Sequence, residues 1–114
     1  MSGISTHVLD LVSGQPVRDL PVLLEVRGAP RSWRPIGQGH TDKEGRLTNL
    51  YPGEQRIQPG AYRLTFDVER YARAQKRSTF YPEVSVVFAV ENPSGHYHIP
   101  LLLGPFGYTT YRGS

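Results

Sequence analysis

Val84-Ser85-Val86-Val87-Phe88-Ala89-Val90, closed by Asn92-Pro93-Ser94-Gly95 and followed by Tyr97-His98-Ile99-Pro100-Leu101-Leu102-Leu103, carries the clearest alternation in the chain. Val84, Val86, Phe88 and Val90 share one side of an extended segment, the period of two that marks a strand. The turn residues after it predict a hairpin whose return strand runs from Tyr97 to Leu103. Gly104-Pro105 ends that strand, and a last one is expected from Phe106 to Arg112. The terminal Tyr111-Arg112-Gly113-Ser114 is then held at a fixed place, unlike most chain ends.

Upstream, Pro59-Gly60 opens a strand in which Tyr62, Leu64 and Phe66 share a face, and Asp67 looks like the N-cap of a short helix from Val68 to about Lys76. Tyr71 and Ala72 are its docking residues. Near the start, Ile4, Thr6 and Val8 alternate with Ser5, His7 and Leu9, so His7 points away from the Ile4/Val8 face. Ser13-Gly14-Gln15-Pro16 turns the chain into a second strand with Val22, Leu24 and Val26 inward. Gly28 to Pro35 reads as a loop and Ile36 to His40 as a weak strand. Thr41-Asp42-Lys43-Glu44-Gly45 is a dense turn signal that delivers Arg46 at its exit. Short strands punctuated by Gly and Pro, with one inserted helix, predict an all-β sandwich.

Composition narrows the functional classes. At 114 residues the chain has room for one core, and one domain spanning 1–114 is expected. No apolar run approaches the ~20 residues of a membrane helix. The first residues carry no basic-then-apolar leader, so the cytoplasm is the expected compartment. With no cysteine, disulfides, thiolate metal sites and a Cys nucleophile are excluded. The net charge is +3, densest from Arg70 to Arg77, but ten acidic residues are scattered among thirteen basic ones. That pattern describes a solvated surface and not a nucleic-acid face, although a small anionic substrate would suit a local positive site.

Four polar side chains call for chemistry or for a reason to lack it. His96 and His98 lie two apart and face one way, which could begin a zinc site, but a third ligand of telling spacing is missing. A histidine on a strand is commonly a plain surface residue. If His7 and His98 reach one cleft, however, two imidazoles supply a base and an acid near neutral pH. Arg46 is either a solvated turn exit or a fork of donors for an acceptor-rich ring and its oxyanion. No G-x-S-x-G elbow, phosphate loop or dinucleotide fingerprint occurs.

Three segments, Ile4-Ser5-Thr6-His7-Val8-Leu9-Asp10, Thr41-Asp42-Lys43-Glu44-Gly45-Arg46 and His96-Tyr97-His98-Ile99-Pro100-Leu101-Leu102-Leu103 running on to Tyr111-Arg112-Gly113-Ser114, together resemble the 5-hydroxyisourate hydrolases. These belong to the transthyretin-like proteins. Tyr62-Arg63-Leu64-Thr65-Phe66-Asp67 and Phe80-Tyr81-Pro82-Glu83-Val84 match as well. The resemblance implies a two-sheet β-sandwich of about eight strands with one short α-helix, assembled as a homotetramer, a dimer of dimers. It implies hydrolysis of 5-hydroxyisourate, a product of urate oxidation, to a ureidoimidazoline, with no metal or organic cofactor. The family's catalytic positions fall on His7, Arg46, His98 and Ser114, and its substrate contacts on His7, Arg46, Tyr111, Arg112 and Gly113. A transthyretin-like carrier, lacking those groups, is the alternative. The loops Arg31-Ser32-Trp33-Arg34 and Tyr51-Pro52-Gly53-Glu54-Gln55 are where family members vary.

Overall fold

A computed structural model describes residues 3–51 and 57–114. Of the variable stretch at 51–55, all but Tyr51 lies outside the described residues. Among the described residues eight strands and one helix follow in order: β1 Gly3–Asp10, β2 Pro21–Arg27, β3 Trp33–His40, β4 Arg46–Leu47, β5 Gly60–Phe66, α1 Val68–Ala74, β6 Val84–Val90, β7 His96–Leu103 and β8 Tyr108–Thr110. They form two four-stranded sheets, β4-β1-β7-β8 and β3-β2-β5-β6. The fold is a transthyretin-like β-sandwich with one short helix, as the alternating patterns and the family resemblance predict.

Alternation decides which side chains meet between the sheets. Ile4 and Val8 of β1 and Tyr97, Ile99, Leu101 and Leu103 of β7 are buried against Val22, Leu24, Tyr62, Leu64, Phe66, Val84 and Val90 of the other sheet. Each fully buried aliphatic or aromatic residue contributes about 1.5–3 kcal/mol over leaving it in water. β1 and β7 run parallel, pairing Gly3 with His96 through Asp10 with Leu103. The Thr6 hydroxyl, buried on the core side, pins that pair by donating to the Ile99 carbonyl at 2.6 Å.

The expected hairpin does not form. β6 pairs with β5 over seven residues, whereas β7 pairs with β1 and β8 in the other sheet. Asn92–Gly95 is therefore a crossing between layers. A tight turn, with Gly95 N–H donating to the Asn92 carbonyl at 2.9 Å, is equally compatible with either connection. Burial selects the crossing, because β6 and β7 both present apolar faces that must cover each other. Tyr97 secures it, its hydroxyl accepting from the Asn92 N–H at 2.9 Å.

Three boundaries also differ from expectation. β3 begins at Trp33 inside the segment read as a loop. Its cause is a cross-strand anchor: Arg63 lies 4.4 Å over the Trp33 ring while pairing with buried Glu25 at 2.8 Å. The helix stops at Ala74, before Lys76, which turns to φ 55. The last strand covers only Tyr108–Thr110, but Gly113 rejoins the sheet by donating to the His98 carbonyl at 2.8 Å. Arg77 is not the solvated charge its basic stretch implied. It reaches back to Asp10 of β1 at 2.6 Å.

Candidate active site

The outer face of the β4-β1-β7-β8 sheet collects the polar residues that alternation turns away from the core. His7 stands opposite Arg46 of β4 and opposite Pro100 of β7, and Ser5 stands opposite His98. With strands about 4.8 Å apart and a rise of about 3.3 Å per residue, the His7 and His98 backbones are diagonal neighbours at roughly 8 Å. Side chains of that length converge over one patch.

A tight loop delivers Arg46 to it. Asp42 Oδ1 accepts from the backbone N–H groups of Glu44 and Arg46 at 2.8 and 2.9 Å, and Gly45 N–H donates to the Asp42 carbonyl at 2.9 Å. The Arg46 N–H bond leads in holding the Asp42 carboxyl below the usual range; burial opposes it, and the Glu44 N–H and the charges of Arg46 and His7 add to it. Gly45 takes φ 78, and a Cβ there would lie 2.5 Å from the Val8 carbonyl oxygen. The loop thus lies flush on β1. Its Glu44 carbonyl accepts a 2.9 Å hydrogen bond from His7 Nε2. A carbonyl cannot donate, so that nitrogen carries a proton and neutral His7 keeps its lone pair on Nδ1.

His98 is held on two sides, by the Ser5 hydroxyl and by the tail. Its Nδ1 is 2.8 Å from the Ser5 hydroxyl, the same hydroxyl is 3.1 Å from His96 Nε2, and the tail crosses the ring so closely that a Cβ on Gly113 would fall 2.6 Å from Cδ2. Burial, then electrostatic interaction with the basic groups of His7, His96 and Arg46, lowers its pKa from the ordinary histidine value. Neutral His98 is the dominant form at pH 7, as a general base requires.

His7, Arg46, His98 and Gly113 thus come together. Tyr111 and Arg112 line a cleft of about 300 Å³ at the β6/β8 edge with Val86, Phe88, Tyr97 and His98. The Arg112 guanidinium sits 4.8 Å above the Tyr97 ring. Ser114 is exposed one residue beyond the Gly113 anchor. Among the described residues no group of three or more His, Cys, Asp or Glu side chains could hold a metal ion. His96 and His98 share a hydroxyl instead. Sequence reading passed over Ser5, although its place two residues from His7 puts it on the same face.

Residues 4–113 match the model of the HIUase/Transthyretin family. A 5-hydroxyisourate hydrolase of Mus musculus is 43% identical over 99% of this chain and 96% of its own. The structure of Klebsiella pneumoniae 5-hydroxyisourate hydrolase superimposes with a TM-score of 0.85 at 28% identity, covering 100% of both chains. Sea bream transthyretin in complex with thyroxine gives 0.89 at 34% identity, covering 97% of this chain and 94% of that one.

Proposed function

Because the chain belongs to the HIUase/Transthyretin family, we propose that it hydrolyses 5-hydroxyisourate, the activity for which its enzyme relatives are named. The observation that carries the reading is the meeting of His7, Arg46 and neutral His98 on one sheet face, each held by a separate backbone or hydroxyl contact. A carrier for an apolar ligand gains nothing from that arrangement. A cyclic amide hydrolase needs all of it.

In the reaction, His98 Nε2 takes a proton from water as the water oxygen attacks the ring carbonyl. Arg46 binds the ring and the oxyanion that forms. The C–N bond of the tetrahedral intermediate then breaks, the abstracted proton goes to the leaving nitrogen, and the new carboxylic acid ionises. His7 orients the substrate or passes the proton through Nδ1. Gly113 and Ser114 form the wall against His98, with Ser114 at the edge of the reacting atoms and Tyr111 and Arg112 as substrate contacts from the cleft. No metal or organic cofactor takes part.

We place this single domain in a cytoplasmic homotetramer, a dimer of dimers. Unpaired edges of terminal strands, β6 and β8 among them, and exposed Leu11, Val12, Phe80 and Phe106 support association of copies. The test is to generate 5-hydroxyisourate from urate with urate oxidase and to follow its ultraviolet decay. Decay faster than the spontaneous rate, lost on His98→Ala in a folded variant, is the expected result. Spontaneous decay with folded wild-type protein would overturn the hydrolase reading in favour of a carrier.

A further inference from the structure

Ser5 is only 3% exposed, yet it lies on the sheet face that carries the chemistry and not in the core. Its hydroxyl touches two imidazoles, His98 Nδ1 at 2.8 Å and His96 Nε2 at 3.1 Å. A hydroxyl owns one proton, so between two neutral rings it donates to one and accepts from the other. Two arrangements follow. If Ser5 donates to His98, that ring carries its proton on Nε2 and cannot act there as a base. If Ser5 donates to His96, it accepts from His98 Nδ1–H, and His98 Nε2 keeps its lone pair.

We propose that Ser5 and His96 are positioning residues that hold His98 in the Nδ1–H tautomer, with Nε2 free to activate water. The chain of donors runs His98 Nδ1–H to Ser5 Oγ, and Ser5 Oγ–H to His96 Nε2. Its geometry is set by the parallel pairing of β1 with β7, which places Ser5 opposite His98 and Gly3 opposite His96. The His96 ring packs over Gly3, where a Cβ would sit 3.5 Å from His96 Nδ1, an ordinary contact distance. His96 is exposed, so its Nδ1–H can donate to solvent. The other charged or titratable groups bearing on His98 are His7 from β1 and Arg46 from β4. Neither touches Nδ1, so the tautomer is decided by the hydroxyl. An orienting partner of this kind is worth about 10–100-fold in metal affinity or activity at metal-ligating imidazoles, where the same fixing of tautomer and ring orientation operates.

The proposal rests on the hydrolase reading for its consequence, but its central claim can be measured without substrate. In protein labelled with 15N-histidine, long-range 1H–15N correlation at pH 7.5 distinguishes a protonated Nδ1 from a protonated Nε2 at His98. Wild type should show Nδ1–H, and Ser5→Ala and His96→Ala should each move the proton to Nε2 or mix the two forms. Both variants should lower kcat about tenfold or more with KM changed less than threefold, and Ser5→Thr should restore the tautomer and the rate. His96→Ala guards against a folding artefact, because its side chain is exposed. An Nε2–H wild type, or an Nδ1–H signature unchanged in both Ala variants, would overturn the proposal. A wild type that shows Nδ1–H and Ala variants that lose it, in a protein without turnover, would uphold the positioning and remove only the reaction.

Discussion

At His98 the surroundings convert a residue of ordinary acidity into one that stays neutral. Burial and the basic groups nearby act in one direction, lowering the pKa, so the base is unprotonated at neutral pH and gains a proton only as the pH falls through that lowered value. The expected pH profile of kcat/KM has an acid limb centred below 6.5, the ordinary histidine value. A limb centred at or above 6.5 would show that another group governs the step. Arg46 is tested by Arg46→Lys, which keeps the charge but loses the planar fork. A drop in kcat/KM of about 10²-fold is expected from that loss at an oxyanion site. Arg46 was legible at the exit of a dense turn signal and His98 as one of two histidines spaced two apart on a strand, while His7 was legible because period-two alternation turns it away from the core. Ser5 obeys the same rule, but a serine signals little until its burial and its two partners are seen.

Elements hold these side chains, and two of them can be tested by stability. Gly45 sits at φ 78 with the Val8 carbonyl where a Cβ would go. Gly45→Ala should therefore cost roughly 2 kcal/mol or more, read by denaturant unfolding, and should slow turnover by displacing the Glu44 carbonyl from His7. Asp10 anchors the helical segment to β1 from a buried position. Burial alone would raise its pKa, yet hydrogen bonds from the Tyr71 hydroxyl, Arg77 and the Val12 and Ser13 N–H groups outweigh it and lower the value. A lowered carboxylate stabilises the fold fully above the unfolded value near 4 and loses that contribution as pH falls through the folded value. Asp10→Asn should cost about 3 kcal/mol at pH 7, with the difference from wild type shrinking below about pH 4. A variant as stable as wild type at pH 7 would show that this ion pair is incidental. Strand existence was readable from alternation, whereas pairing was not. β6 and β7 read as a hairpin because their turn is short, and only the two-layer packing reveals a crossing. β3 was half missed because Trp33 and Arg34 carry loop-like neighbours, and its anchor, Arg63, lies thirty positions from Trp33 in the sequence.

Across the whole molecule the sandwich is closed by packing in the middle and open along both sides, where β4 and β3, and β8 and β6, are the terminal strands of their sheets. β6 and β8 each pair on one edge only, and the cleft lined by Tyr111 and Arg112 lies between them. At one end, the β1–β2 and β7–β8 turns are tied by the Leu11 N–H, which donates to the Leu103 carbonyl at 2.8 Å, and they present Leu11 and Phe106 at 58% and 75% exposure. Large apolar residues so displayed, beside free strand edges, favour burial against further copies of the chain. Their partners are invisible in one chain's alternation, which reports only which residues face away from its own core. The proposed tetramer predicts a solution mass near four times 12.8 kDa by light scattering. Leu11→Asp with Phe106→Asp should reduce that mass by half or more, since each buried carboxylate would lose its water without gaining a partner. Circular dichroism should be unchanged, because neither side chain is in the core. Wild-type protein that runs at the mass of one chain would refute the assembly. A dissociated double variant that still hydrolyses 5-hydroxyisourate at the wild-type rate would show that one sheet face, with its own tail, is a complete site.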